Sequence, residues 1–388
     1  MSDGFSLLLV LVLVYLSDCI IFLRRNSVAL VRPWGRWRTR LPNWRFGNAR
    51  GALLWLQPLP PLGIVHETAV WPFSISEDGV CAFSGASLTG PERPPQSGST
   101  VLHSDIREVK TEGNTILLNG TPFVATTTST LATELAALIS AVAAAPRERR
   151  AQLIADAVDA SLDVKAARES SAAAVSSTRG LLIACNVLWA YIYVACPVLT
   201  SLFGLAWLIL PLLLAGLLIH IPIVVWFTRL HGRTFRSERS QRIEQVFRMC
   251  LCPPMAIRAV DALARHALWR HHPAAAAVAL CSKPDAGSLA GLMVRDLCHP
   301  ASIALEGDAA RIESSFRAIL SRRLEAMADA EGIALRRHPE AAHLAADSRA
   351  FCPRCLNVFS VEGGVCQDCL NVKLEPLPLR QAGGKADR

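Results

Sequence analysis

Cys352-Pro-Arg-Cys355 and Cys366-Gln-Asp-Cys369 are the residues whose types and spacing point most directly to chemistry. A Cys-x-x-Cys pair on a tight turn directs two sulfurs to one side. Two such pairs, with Gly363-Gly364 as a hairpin tip between them, bring four sulfurs together. Zinc takes four thiolates in a closed tetrahedron, so one structural Zn²⁺ per chain is expected, held by Cys352, Cys355, Cys366 and Cys369. A closed site leaves no open position for substrate. The rival readings are a redox dithiol or disulfide pair, and iron in the same cage. The run Cys-x-x-Cys-Leu-Asn-Val occurs at 352–358 and again at 366–372, so the two turns are near copies. Leu356 and Leu370 stand where such turns often place glycine. Asn357 and Asn371 are therefore expected to take the left-handed conformation, which asparagine tolerates.

This pattern over residues 351–375 resembles zinc ribbons and rubredoxins. Other polar clusters carry weaker signals. His266, His271 and His272, with Cys298-His299 further on, are not spaced to share one helical face, and Pro273 interrupts them. They read as ordinary surface histidines rather than a second metal site. No nucleophile elbow, phosphate loop, dinucleotide fingerprint or zinc-protease motif is present, so no catalytic residue and no organic cofactor is assigned.

The elements that position the cysteines begin with the membrane. The chain is 52% hydrophobic and 19% charged, and the apolar excess is concentrated in runs. Residues 5–23 make an apolar stretch that can just cross a bilayer core of about 30 Å. Only Asp3 precedes it, while Arg24, Arg25, Arg32, Arg36, Arg38 and Arg40 follow, the reverse of a cleaved signal peptide. Between Arg179 and Arg229 no Lys, Arg, Asp or Glu occurs. That run exceeds one crossing and must fold back, with Pro197–Gly204 offering the turn and spans at 181–199 and 203–227. Tyr193 and Trp207 are placed at the outer interface and Trp226 at the inner one. Arginines cluster at the same end of all three spans, which puts the N-terminus outside and the C-terminus in the cytoplasm. Asp18 and His220 are the acidic residue and the histidine of the spans. Their depths of roughly 9 and 13 Å from the nearest following arginines would let them meet as an intramembrane polar pair, in one chain or between chains. The alternative for Asp18 is a hydrated place near the interface.

Between the spans lie an Arg/Trp-rich juxtamembrane segment (24–60) and a β-rich region with closing helices (61–165). The expected strands include Ile64-Val65, Ala69–Phe73, Val80–Phe83, Ile106–Val109, Ile116–Leu118 and Phe123-Val124. Asn119-Gly120 is a strong tight-turn signal, and Gly85–Ser99 reads as an exposed loop. An amphipathic helix then carries Leu131, Leu135, Leu138, Ile139 and Val142 on one face. With Ser104–Val109 entering a strand, residues 60–145 resemble the second half of a bacterial pleckstrin-homology-like barrel. Residues 236–251 read as a basic amphipathic interfacial helix and 255–335 as a helical cytoplasmic region.

The fold class that emerges is a multi-domain α+β membrane protein with three transmembrane helices, cytoplasmic domains and a zinc ribbon. Five lysines against thirty-five arginines, with abundant alanine, suggest a GC-rich bacterial genome and hence a bacterial inner membrane. The net charge of +8 is explained by topology-setting arginines. Residues 351–375 carry Arg354 and Lys373 against Glu362, Asp368 and Glu375, which disfavours nucleic acid as a partner. The expected function is a non-enzymatic membrane adaptor or regulator, with lipids and a protein partner or a second copy as its contacts. The alternative is a subunit of a transport or envelope-assembly complex.

Overall fold

The structure, a computed structural model, describes residues 5–10, 13, 29–31, 38–40, 70–84, 96–126, 128–251, 253–260, 263, 269–299, 305–339, 347–367, 369 and 372–377. Asp18, most of the 5–23 run, the tryptophans of 24–60, Ile64-Val65 and His266 lie outside these residues. Residues 5–10 are helical, and Ala29–Val31 (β1) pairs antiparallel with Arg38–Arg40 (β2).

Phe73–Ile75 (β3), Gly79–Ser84 (β4) and Gln96–Leu102 (β5) form one antiparallel meander. Val109–Glu112 (β6), Thr115–Leu118 (β7) and Thr121–Ala125 (β8) form a second. Among the described residues of 70–125 the strands form two three-stranded sheets that do not pair with each other. A 3-10 turn at His103–Asp105 separates them. The Asn119 side chain fixes that connection: its Oδ1 accepts from the Arg107 and Glu108 N–H groups at 2.8 and 3.1 Å, and its Nδ2 donates to the Asp105 carbonyl at 2.8 Å. Asn119 and Gly120 both take positive φ, 52° and 78°, as a mirror-type two-residue hairpin turn requires. β5 overlaps the stretch expected to be loop. Its Gln-Ser-Gly-Ser-Thr start has no apolar alternation to reveal it, and pairing with β4 holds it in place. Gly79 permits the close approach, since a Cβ there would lie 2.4 Å from the Val101 carbonyl oxygen.

Ser129–Ala144 (α1) starts where Thr128 Oγ1 accepts from the Leu131 N–H at 3.0 Å. It buries Leu131, Leu135, Ile139 and Val142, most of the face expected from the 3.6-residue period. Arg147–Ser161 (α2) follows, with Ile154 and Val158 inward. Val164–Ala190 (α3), capped by Asp163, continues through a π-helical turn at Tyr191–Ala195 into Cys196–Phe203 (α4). The chain reverses at Gly204, whose φ of +79° suits glycine, and returns as Leu205–Thr234 (α5). Pro197 does not turn the chain: it follows directly on the π-helical turn, where the regular ladder is already interrupted and a missing N–H costs little.

Ser176–Phe203 and Ala206–Thr234, 28 and 29 residues, are long and apolar enough to cross a membrane. Among the described residues there are two such helices rather than the three expected. Their large apolar side chains, from Ile183 and Val187 to Leu213 and Leu218, point outward, unlike the core helix of a soluble domain. Trp226 packs edge-on against Gly180, where a Cβ would come within 2.2 Å of the indole. Tyr193 is buried and stacked on Trp189 at 5.7 Å, eleven residues (about 16 Å) from the Gly204 tip.

Glu238 joins the hairpin base to the sheet region, since its Oε1 accepts from Ser129 Oγ at 2.7 Å and the Thr130 N–H at 3.1 Å. A carboxylate there meets the positive end of α1. Arg239–Leu251 (α6) turns Met249 inward and leaves Ile243, Phe247 and Leu251 exposed along one stripe. Pro273–Leu280 (α7), Lys283–Cys298 (α8) and Gly307–Ala330 (α9) complete the helices. Phe316, Leu320 and Leu324 of α9 share one core with Phe73, Ile75 and Val80 of the first sheet and with Leu289 and Met293 of α8. The helices after the hairpin thus close over strands that precede it.

Candidate metal centre

α9 ends in a way that aims the following chain at the cysteines. Gly332 takes a φ of +62°, its N–H donates to the Asp329 carbonyl at 3.1 Å, and the Ile333 N–H donates to the Ala328 carbonyl at 2.8 Å. This is a Schellman stop, and the buried Ile333 packs in one cluster with Ala328. The chain then crosses α8 over two glycines. A Cβ on Gly287 would lie 2.3 Å from the Ala334 oxygen, and one on Gly291 would lie 2.7 Å from the Arg336 nitrogen.

Beyond this crossing, Ala350–Phe351 (β9), Val358–Phe359 (β10) and Glu375–Pro376 (β11) form a small antiparallel sheet with β9 in the centre. The sulfurs of Cys352, Cys355, Cys366 and Cys369 all lie within 4.8 Å of one another, and Cys355 Sγ is 3.8 Å from Cys366 Sγ. A tetrahedron with metal–sulfur bonds of about 2.3 Å has edges of about 3.8 Å, so the cage has the right size. None of the four is paired in a disulfide, and all four sulfurs face one another as a single cluster. Hydrogen bonds from Cys355 and Cys369 hold the Cys352 thiol far below its usual range. The same bonds push Cys355 up to about 12 and raise Cys369. Four crowded sulfurs cannot all ionise unaided, and a divalent cation binds by displacing their protons. These residues fit a metal ion such as zinc.

Backbone bonds shape the first turn: the Leu356 N–H donates to the Cys352 carbonyl at 2.8 Å, and the Cys352 N–H to the Asn357 carbonyl at 2.9 Å. Leu356 itself takes the left-handed conformation, φ 63°, rather than Asn357. Its side chain is 9% exposed, and that burial offsets a backbone cost of about 1–2 kcal/mol. Leu370 and Asn371 lie outside the described residues.

The first turn is seated on α8. Arg354, between the first two cysteines, places Nε 2.8 Å and Nη2 2.6 Å from Asp296 Oδ1, with side-chain exposures of 10% and 4%. Arg295 Nε donates to the Arg354 carbonyl at 3.1 Å, and its Nη1 donates to the Arg336 carbonyl. Burial and then Arg336 push the Arg295 guanidinium down to about 10, against the opposing charges of Cys355 and Cys352. These residues were not singled out from the sequence. The available signal was Arg295-Asp296, a charged pair at the end of the apolar run Leu289–Val294.

The histidines correct the sequence reading. His271 and His272 are buried, not surface groups. His272 Nδ1 accepts from the Ala274 N–H at 3.2 Å and caps α7, while His271 Nε2 lies 3.1 Å from Ser170 Oγ. They join no metal cluster among the described residues. Burial, ahead of the opposing effect of Asp163, holds His271 below its usual range, and burial does the same for His103. The unfolded chain therefore binds more protons as pH falls below about 6.5. The neutral-state stabilisation is complete above that pH and is lost on descending through it towards the folded values. The expected result is a lower Tm at pH 5.5 than at pH 7.5, with a smaller difference in His271→Gln. Equal pH responses in both proteins would contradict this.

His220 is buried in the hairpin, 6% exposed, and its Nδ1 has no hydrogen-bond partner among the described residues. Its expected partner Asp18 lies outside them. Comparisons with protein families, curated proteins and solved structures give no match for this chain.

Proposed function

We propose that this protein is a non-enzymatic membrane-anchored adaptor or regulator, which holds a sheet–helix domain and a structural zinc ribbon at the cytoplasmic face of a bacterial inner membrane. The observation that carries the reading is the division of surfaces. The hairpin exposes its apolar side chains as a lipid-facing element does, whereas the strands and α7–α9 bury theirs in a core. Basic residues flank both ends of the hairpin, and α6 adds an exposed Ile243–Phe247–Leu251 stripe beside Arg239, Arg242 and Arg248, suited to an anionic leaflet. A closed four-thiolate cage is suited to holding structure rather than to turnover. With the first turn of the ribbon seated on α8, its longest exposed stretch is the 360–365 loop, including Val361 and Val365, which is the part offered to a protein partner or a second copy.

Reporter fusions after residues 40, 175 and 240 and at the C-terminus are expected to score cytoplasmic, and one at 200–202 external. An external signal at residue 100 would contradict the arrangement. Cross-linking in native membranes should join the 360–365 loop to one stoichiometric protein. A chain that stays alone there would count against an adaptor.

His220 favours a second reading, a subunit of a transport or envelope-assembly complex. A buried histidine with an unmatched nitrogen inside an apolar hairpin calls for a polar neighbour, and Asp18 of the first apolar run has the depth to be one.

A further inference from the structure

Resting on the metal reading above, we infer that the metal centre is a clasp that holds the chain segment 333–337 on α8, so that metal loss releases this strap and the ribbon together. Three observations converge on this. The strap lies in a groove made by Gly287 and Gly291, too close for any side chain at either position. Arg295, one helical turn beyond Gly291, donates to the carbonyl of the strap residue Arg336 and to that of the ribbon residue Arg354. One guanidinium therefore ties strap and ribbon to the same helix. Arg354 in turn pairs with the neighbouring Asp296 in a nearly buried contact.

Arg354 stands between Cys352 and Cys355, so both of its contacts depend on the conformation of that turn. The ribbon's own buried cluster is small, formed by Ala350, three of the cysteines, Val372 and Leu374. So small a segment does not keep its fold without the metal. When the turn loses its shape, the Arg354 carbonyl leaves Arg295 and the Arg354 guanidinium leaves Asp296. Arg295 then keeps its bond to the Arg336 carbonyl but loses the ribbon carbonyl that fixed the guanidinium on its other side, so the strap is held by a side chain that is no longer anchored. Breaking a buried ion pair is strongly unfavourable, so the loss at Asp296 favours rearrangement of the dock rather than a ribbon that unfolds in place.

The test uses the full-length protein purified with its metal in detergent, with limited trypsin cleavage after Arg336, Arg337 and Arg349 followed by mass spectrometry. Removing the metal with a chelator is expected to speed cleavage at these sites at least about tenfold, and adding back Zn²⁺ should restore protection. Asp296→Asn should retain its metal yet be cleaved at the fast rate. Arg354→Gln should behave alike, and the double variant should be no faster than either alone, because the two changes remove one contact. Gly287→Ala, whose Cβ would meet the strap at Ala334 and Ile333 and stays clear of Arg295, should expose Arg336 and leave Arg349 protected. Cleavage that does not respond to metal removal in a metal-loaded protein, or protection of Asp296→Asn equal to that of the native chain, would overturn the clasp alone. A purified chain with neither zinc nor iron would overturn the metal reading and the clasp together.

Discussion

Truncating Phe316 to alanine is expected to destabilise the sheet–helix domain by about 3–5 kcal/mol. Phe316 is fully buried on α9, and its ring meets Trp71 edge-to-face with centroids 5.4 Å apart. Its neighbours in the core come from both ends of the chain, Phe73 and Ile75 before the hairpin and Leu289 and Met293 after it. A cavity at this junction is not readily refilled, because the facing side chains belong to elements fixed by strand pairing and helix packing. The loss is a large part of the 5–15 kcal/mol that keeps a typical domain folded. Denaturant unfolding followed through the fluorescence of Trp71 and Trp269, which lie in the same core, measures it. A change below about 1 kcal/mol would mean that α9 does not close over the sheet.

Replacing Cys366 by serine has the other large expected effect. Structural zinc contributes about 10–16 kcal/mol of apparent binding free energy in small metal-folded modules, and each thiolate is part of the closed shell. Cys366 is 1% exposed, and its N–H donates to the Val372 carbonyl at 2.8 Å, so it fixes the second turn by backbone and sulfur together. Serine keeps the shape but not the soft donor. The variant is expected to lose most of its metal and the order of residues 350–376, and with them the hold on the strap 333–337, while the core around Phe316 still unfolds as a separate cooperative transition. Metal content equal to that of the native protein would remove Cys366 from the ligand set.

The parts legible in the sequence were those written in local patterns. The paired Cys-x-x-Cys spacing, the Asn119-Gly120 turn, the inward face of α1 and the uncharged run from 180 to 228 each follow from neighbouring residues. The parts that stayed hidden depend on contacts between distant residues. Nothing near Phe316 announces that it packs on Trp71, 245 positions earlier, and nothing near Glu238 announces that it meets the start of α1. The turn at Gly204 lay at the edge of the expected stretch because a proline reads as a breaker, yet Pro197 is harmless where the π-helical turn has already interrupted the ladder. His271 and His272 were placed on the surface because their type is polar; their burial follows from packing beside α3 and capping α7. Leu356 was passed over for the left-handed position because propensity favours asparagine, whereas burial of the leucine decided it.

Metal analysis of the 388-residue chain, purified without added metal, tests the central claim most directly. One zinc per chain is the expected result, falling to near zero in Cys366→Ser. A native preparation that holds neither zinc nor iron would contradict the account, because the cage of Cys352, Cys355, Cys366 and Cys369 would then have no ion to close it.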